Sequence, residues 1–510
     1  MRSGCAMRLR ELIDNLDARL VGDADPPIAR VTDDSRDVRP AGSDGGTLFV
    51  ARAGTRTSGE RFLHDAISRG AVAVLREDDA LGLPAGVADL RCDEAAWMLA
   101  HLAERINGNP SSRLFVIGVT GTNGKSTTAH LVHRVLNSIG VPCGLIGTIE
   151  VDEGNGPHEA RLTTPPAHEL SASLARTLDH GCNAVVLEAS SHALDQRRVE
   201  AIAFDVAIFT NLSGDHLDYH ADMDEYASAK AHLFELLSPS GLAVVNADDP
   251  AHTRMIRDCQ AVIRRVGADA DNCLSGIDVS LEGTRFKLGD AACTTPLIGA
   301  HNAMNAAQAL IACEAVCAHV GADASTLAHA LAMVGVPRGR FERVDQGAAS
   351  PAVFVDYAHT DDALAHACAT LASIVPPGGE LIVVFGCGGD RDRTKRPRMA
   401  RAVAAHADRI IITSDNPRTE DPETIIDEVI AGVPEGLRYE RSADRRSAIH
   451  LAIRSATPRD VVLIAGKGHE TYQLLPDSNA PDGVRRIDFD DRVVACDALA
   501  ARHAETGASA

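Results

Sequence analysis

Phe115-Val-Ile-Gly-Val-Thr-Gly-Thr-Asn-Gly-Lys-Ser-Thr-Thr128 decides how this chain is read. An apolar run ends in a glycine-rich turn, a lysine and a hydroxyl follow, and a helical pattern begins. Glycines in such a turn let the backbone approach an anion with its amide N–H groups turned inward. Lys125 adds a point charge for terminal phosphates, and Ser126 is a hydroxyl ligand for Mg²⁺. The strict phosphate-loop spacing asks for glycine at position 119, where this chain has Val119. The context of strand, turn and helix nevertheless favours a phosphate cradle over an ordinary connection.

The flanking pattern is α/β. Leu131, Val132, Val135, Leu136 and Ile139 form a helical stripe closed by Gly140, and Leu170, Leu174 and Leu178 form another closed by Gly181. Residues 184–187 and 206–209 are continuous apolar runs, as expected of buried parallel strands. Upstream, 48–51 and 71–75 predict short strands with a helix over 62–67 between them. Downstream, 353–355, 381–385, 410–412 and 461–464 predict strands separated by helices. Asn107-Gly-Asn-Pro110 is a credible boundary. The expected organisation is three α/β domains: a small one over 1–110, a central phosphate-loop domain with a mostly parallel sheet over 111–340, and a Rossmann-like, doubly wound domain over 341–510. The small, polar tail after about Arg502 is expected to fray.

Bulk properties agree with a multidomain protein. A chain of 510 residues suits two to four domains. Formal charge is 50 − 71 = −21, which argues against nucleic acid as the main partner. The twelve cysteines include no Cys-x-x-Cys and read as buried thiols of a reducing compartment. With no apolar run approaching 18 residues, a cytoplasmic protein without a membrane segment is expected, working as a monomer.

Polar clusters follow the strands, where ligands of parallel sheets bind. Glu188-Ala-Ser-Ser-His192 and Asn211-Leu-Ser-Gly-Asp-His-Leu-Asp-Tyr-His220 place carboxylate and imidazole beside the phosphate loop. Tyr226, Lys230 and Phe234 are spaced four apart on one helical face, so Lys230 either snorkels to solvent or is chemically modified. Gly386-Cys-Gly-Gly-Asp-Arg-Asp-Arg393, Ser414-Asp-Asn-Pro-Arg418 and Gly466-Lys-Gly-His-Glu470 each follow a strand and together suggest an anion-binding face. A guanidinium at Arg418 reads carboxylates well.

These stretches, with Asp356-Tyr-Ala-His-Thr360 and Gly299-Ala-His-Asn-Ala-Met-Asn305, resemble the Mur ligases over nearly the whole chain. Asp415-Asn-Pro-Arg418 resembles the members that add meso-2,6-diaminopimelate, and lysine-adding members differ there. The resemblance implies an ATP- and Mg²⁺-dependent amide ligase of peptidoglycan precursor synthesis, and hence of cell-wall growth. Its small-molecule substrates would be ATP, a UDP-muramoyl-dipeptide and diaminopimelate. It implies that Gly121, Thr122, Asn123, Gly124, Lys125, Ser126 and Thr127 hold the ATP phosphates, with Asn302 near adenine. Ser126, Glu188, His216 and a carbamylated Lys230 would serve Mg²⁺, and Lys125, Lys230, His216 and Glu188 would be catalytic. Ser35, Thr163, Thr164, Ser190, Gln196 and Arg198 would contact the UDP substrate. Arg391, Asp415, Asn416, Pro417, Arg418, Gly466 and Glu470 would hold the diaminopimelate. A lysine-adding ligase, a folylpolyglutamate-synthase-like ligase and a nucleotide-binding switch are the alternatives.

Overall fold

The computed structural model describes residues 6–54, 57–77, 82–214, 219–344 and 350–507. The chain forms two compact units. The first comprises Met1–Ser275, Lys287–Cys293 and Met304–Leu331; the second comprises Gly276–Phe286, Thr294–Ala303 and Ala332–Ala510.

The first unit contains two sheets. In the N-terminal one, Pro27–Thr32, Gly46–Ala51, Ala71–Arg76 and Ala88–Arg91 run parallel in that order. Met7–Arg8 and Arg19–Val21 pair antiparallel at its edges. The expected strands at 48–51 and 71–75 lie inside it. Helix Ala95–Ile106 packs on one face, burying Met98, Leu99 and Leu102.

The central sheet is built around Phe115–Thr120. Its parallel neighbours are Ala184–Glu188 and Phe204–Phe209, with Cys143–Ile146 beyond the former and Leu237–Asn246, then Val262–Gly267, beyond the latter. Every residue of Phe115–Thr120 and Ala184–Glu188 is buried, which explains why these runs are apolar without alternation. Helices Lys125–Ser138 and Ala167–Asp179 end at Gly140 and Gly181, whose φ values of 79° and 86° suit the left-handed turn that stops a helix. The short strands at Cys143–Ile146 and Glu150–Asp152 escape sequence reading because neither is long enough to show a period.

Helix Ala300–Val320 is long and apolar enough, by length and composition alone, to cross a membrane, and the sequence reading did not mark it. It is a core helix: 72% of its apolar window is buried, and Gln308 donates to the carbonyl of Phe209 at 2.7 Å.

The second unit carries a six-stranded sheet in the order Glu342–Arg343, Ala352–Asp356, Val461–Ala465, Leu381–Phe385, Arg409–Thr413, Arg438–Ser442. All neighbours but the first pair are parallel. Two buried clusters cover its two faces. An antiparallel pair, Tyr472–Pro476 with Val484–Asp488, follows the last core strand.

Of the tail expected to fray after Arg502, residues 503–507 are helical and 508–510 lie outside the described residues. Helix Asp491–Gly507 buries Val494, Ala495, Ala498 and Leu499 against the sheet. The Arg502 guanidinium donates to the carbonyls of Ile453 and Arg454 at 2.9 and 3.0 Å. At the start of this helix, Asp491 receives Nε and Nη2 of Arg445, both at 2.7 Å, and both side chains are 0% exposed. Nη2 also donates to the carbonyl of Ala465 at 3.0 Å, pinning the end of a core strand. Removing one partner leaves a buried charge alone, which costs about 3–5 kcal/mol. Arg445→Met is therefore expected to lower stability by about that much in urea unfolding. Arg445→Met with Asp491→Leu should lose clearly less than Arg445→Met alone.

Candidate active site

The phosphate loop occupies the turn between Phe115–Thr120 and Lys125–Ser138. Gly121 and Gly124 have φ values of 144° and 86°, a region L side chains rarely adopt. A β-carbon at Gly121 would strike the Thr210 hydroxyl, and one at Gly124 would lie 2.6 Å from Asn305 Oδ1. The helix starts with no side-chain cap and no acidic residue in its first turn, so its amide end is receptive to an anion. Lys125 Nζ folds back to donate to the carbonyls of Gly121 and Thr122, both at 2.9 Å. Asn211, at the end of the neighbouring strand, accepts from Thr122 N through its carbonyl at 2.8 Å and from Asn123 N through Oδ1 at 2.9 Å. That bracing residue was quoted within a sequence motif but given no role.

Glu188 ends Ala184–Glu188 and is fully buried. Its Oε2 accepts from Ser126 Oγ at 2.9 Å and Thr148 Oγ1 at 3.0 Å, and its Oε1 accepts from Thr148 N at 2.8 Å. A β-carbon at Gly147 would sit 2.5 Å from Oε1, so the turn before Thr148 must be glycine to reach the carboxylate. Sequence reasoning missed Thr148, because the two short strands flanking its bend were not recognised. Ser126 and Glu188, separated by 62 positions, offer hard oxygen donors at one point, a set that fits Mg²⁺. His216 lies outside the described residues.

Lys230 belongs to helix Met223–Glu235 and is 1% exposed, which excludes snorkelling. Its Nζ donates to the carbonyl of Gly121 at 2.9 Å and lies 4.3 Å from the centre of the Tyr226 ring. The Tyr226 hydroxyl is 3.2 Å from Thr122 Oγ1. The helix thus delivers a buried amine to the phosphate loop. Thr127, buried in the first helical turn, completes the loop segment.

A second group adjoins it. Thr164 Oγ1 donates to the carbonyl of Glu188 at 2.6 Å and accepts from Ser190 N at 3.1 Å. Arg198 Nη1 donates to the carbonyl of Thr164 at 2.7 Å, and its Nη2 reaches Gln196 Oε1 at 2.7 Å. Thr163 Oγ1 lies 3.0 Å from Thr148 Oγ1. Burial and the nearby Arg52 cation pull the Arg198 guanidinium below its ordinary pKa. Asp33 and Arg52 of the N-terminal sheet line one hollow with Gln196 and Arg198, and neither was anticipated. Their ion pair is 2.6 Å long. Ser35 is buried in the turn after Pro27–Thr32, where Asp34 caps the amide of Arg36 at 2.9 Å. A cavity of about 590 Å³ opens beside this turn, lined by Thr32 and Asp37 on one side and Leu162, Pro165 and His168 on the other.

In the second unit, the three loops predicted to form one face do meet. Gly389 N donates to the carbonyl of Asn416 at 2.9 Å, and Asn416 Nδ2 donates to Glu470 Oε2 at 2.9 Å. Arg418 takes φ 54° and braces Nη1 on the carbonyl of Gly389 at 2.6 Å. A β-carbon at Gly388 would lie 3.0 Å from Arg418 Nη1 and 3.7 Å from Arg391 Cγ, so both arginines flank that glycine. At Gly466 (φ 119°) a β-carbon would lie 2.5 Å from Asp415 Oδ2, so Gly466 and Asp415 are also neighbours. Pro417 is buried between Asn416 and Arg418. Arg396 is buried under the glycine-rich loop, with Glu420 and Glu428 at 2.7 and 2.6 Å. Burial pushes the Asp356 carboxyl above its ordinary range although it accepts from Phe341 N and Ala358 N, both at 2.8 Å. Asn302, also in this unit, is buried and donates to the carbonyl of Ile298 at 2.8 Å.

A phosphate cradle beside a buried carboxylate–hydroxyl pair suits an ATP-dependent enzyme, and comparison with known proteins makes it a ligase and gives the family. Residues 119–313 match the Mur ligase middle domain, and 339–468 match the Mur ligase, glutamate ligase domain. The UDP-N-acetylmuramoyl-L-alanyl-D-glutamate–2,6-diaminopimelate ligase of Chlorobium phaeobacteroides is 45% identical over 463 residues, 88% of each chain. That of Gloeobacter violaceus is 42% identical, covering 98% of this chain and 99% of the relative. A solved structure of a protein with the same name superposes with a TM-score of 0.70 at 34% identity, over 98% of this chain and 99% of the other. The chain belongs to the Mur ligase family.

The cradle's geometry makes one consequence measurable. A β-carbon forced to a left-handed φ costs ~1–2 kcal/mol before any clash, so Gly124→Ala should weaken binding of a non-hydrolysable ATP analogue about tenfold or more. Titration calorimetry reads this directly, and an unchanged affinity would mean the loop does not carry the nucleotide.

Proposed function

We propose that this chain joins meso-2,6-diaminopimelate to UDP-N-acetylmuramoyl-L-alanyl-D-glutamate at the expense of ATP, in cytoplasmic peptidoglycan precursor synthesis. The observation that carries the choice of amino acid is the pairing of a braced Arg418 guanidinium with the Asn416–Glu470 hydrogen bond on one loop face. An amino acid with a second, distal carboxylate needs both a cation and an acceptor oxygen. Lysine has no distal carboxylate for Arg418 to pair with.

In this reading the residues 1–110 hold the uridine end, 111–340 the ATP and 341–510 the amino acid. Ser35, Thr163, Thr164, Ser190, Gln196 and Arg198 hold the UDP substrate, and Asp33 and Arg52 support them. The γ-carboxylate of the glutamyl residue attacks the γ-phosphorus of ATP, giving an acyl phosphate and ADP. The amine then attacks the acyl carbon, and the tetrahedral adduct expels phosphate and loses a proton. The Gly121–Thr127 loop and Lys125 orient the transferring phosphoryl group and offset its charge, so positioning does most of the work. Ser126 and Glu188 would hold Mg²⁺, which when bound withdraws charge from the phosphate oxygens. Lys230, carbamylated, would add an anionic oxygen there, and its remaining N–H can still donate to Gly121.

Three outcomes test this. Phosphate should appear only when UDP-muramoyl-dipeptide and diaminopimelate are both present; a nucleotide switch would hydrolyse ATP slowly without either. Arg418→Ala should lose diaminopimelate use by about 10⁴-fold with ATP affinity nearly intact. Lys230→Ala should be inactive and partly restored by acetate, whereas full activity without rescue would eliminate the carbamate.

A further inference from the structure

Lys467 has no part in the chemistry above, and its surroundings ask for one. It lies in the loop after Val461–Ala465, with its side chain 0% exposed. A buried ammonium is retained only when paired. Its Nζ donates to Glu470 Oε2 at 3.0 Å and to Asn416 Oδ1 at 3.2 Å, and lies 5.4 Å from the centre of the Tyr472 ring.

Two consequences follow for the loop face. Asn416 Oδ1 accepts from both Lys467 Nζ and Leu474 N, the latter at 2.9 Å, so the amide can point only one way and its Nδ2 must face Glu470. Glu470 Oε2 then accepts from Lys467 and Asn416 together. That holds Oε2 and leaves Oε1 as the carboxylate oxygen these two donors do not use. A neutral side chain at 467 would leave Leu474 N to hold the Asn416 amide but would remove one of the two donors to Glu470 Oε2 and free Glu470 to change rotamer.

We infer that Lys467 is a positioning residue for the amino-acid substrate: it sets Glu470 so that Glu470 Oε1 accepts from a substrate ammonium. This rests on the function proposed above.

The test uses the full-length enzyme and steady-state phosphate release. Lys467→Met should raise KM for diaminopimelate about 10- to 100-fold, the range for a hydrogen bond to a charged group. KM for ATP and for the UDP-muramoyl-dipeptide should stay within about twofold. Because Lys467 acts through Glu470, adding Lys467→Met to Glu470→Gln should raise that KM by no more than about threefold further. A full additional rise in the double variant, or an equal rise in all three KM values, would overturn the inference. If Lys467→Met does not fold, Lys467→Gln is held to the same criteria, and failure of both to fold would make the residue structural. A wild-type chain that releases no phosphate with diaminopimelate overturns the proposed function, and this inference with it. A fully active wild type with unmoved variants overturns the inference alone.

Discussion

The hydrogen bond between Ser126 and Glu188 is the constraint on which the first unit turns. It joins the first turn of the phosphate-loop helix to the end of a neighbouring parallel strand. A carboxylate buried this completely is tolerable because it accepts from three donors, one from Ser126 and two from Thr148. The sheet register places those donors: Glu188 pairs across from Val119, the last residue but one before the glycine turn. Loop, carboxylate and the Thr164–Ser190 pair are therefore consequences of one register.

The second unit solves a similar problem with cations. Arg396, Arg445 and Lys467 are all buried, and each is paired with carboxylates and caps a backbone or amide oxygen at a strand end. Burying such pairs contributes little net stability. Their effect is geometric: they hold the loops after three adjacent parallel strands in fixed relation, where flexible loops would present Arg418 and Glu470 loosely.

Much of this was legible. The glycine turn at 121–124, the apolar strands and the Asp415-Asn-Pro-Arg418 turn announce themselves because a left-handed φ, a doubly covered strand and a rigid Asn-Pro turn each admit few residue types. Thr148, Asp33 and Arg52 were not legible. They are ordinary polar residues whose meaning comes from what stands opposite them. That the last helix continues past Arg502 to Gly507 was not legible, because the small, polar residues there show no apolar stripe of their own.

Local sequence alone determined the class of chemistry, since a phosphate cradle needs glycines, a lysine and a hydroxyl at short, readable spacing. Tertiary structure decided which distant groups meet that cradle. Lys230 is the clearest case: spacing left it either snorkelling to solvent or chemically modified, and only the packed helix shows it buried, its amine 2.9 Å from the carbonyl of Gly121. Burial is a property of the whole surrounding shell, and no window of sequence contains that shell.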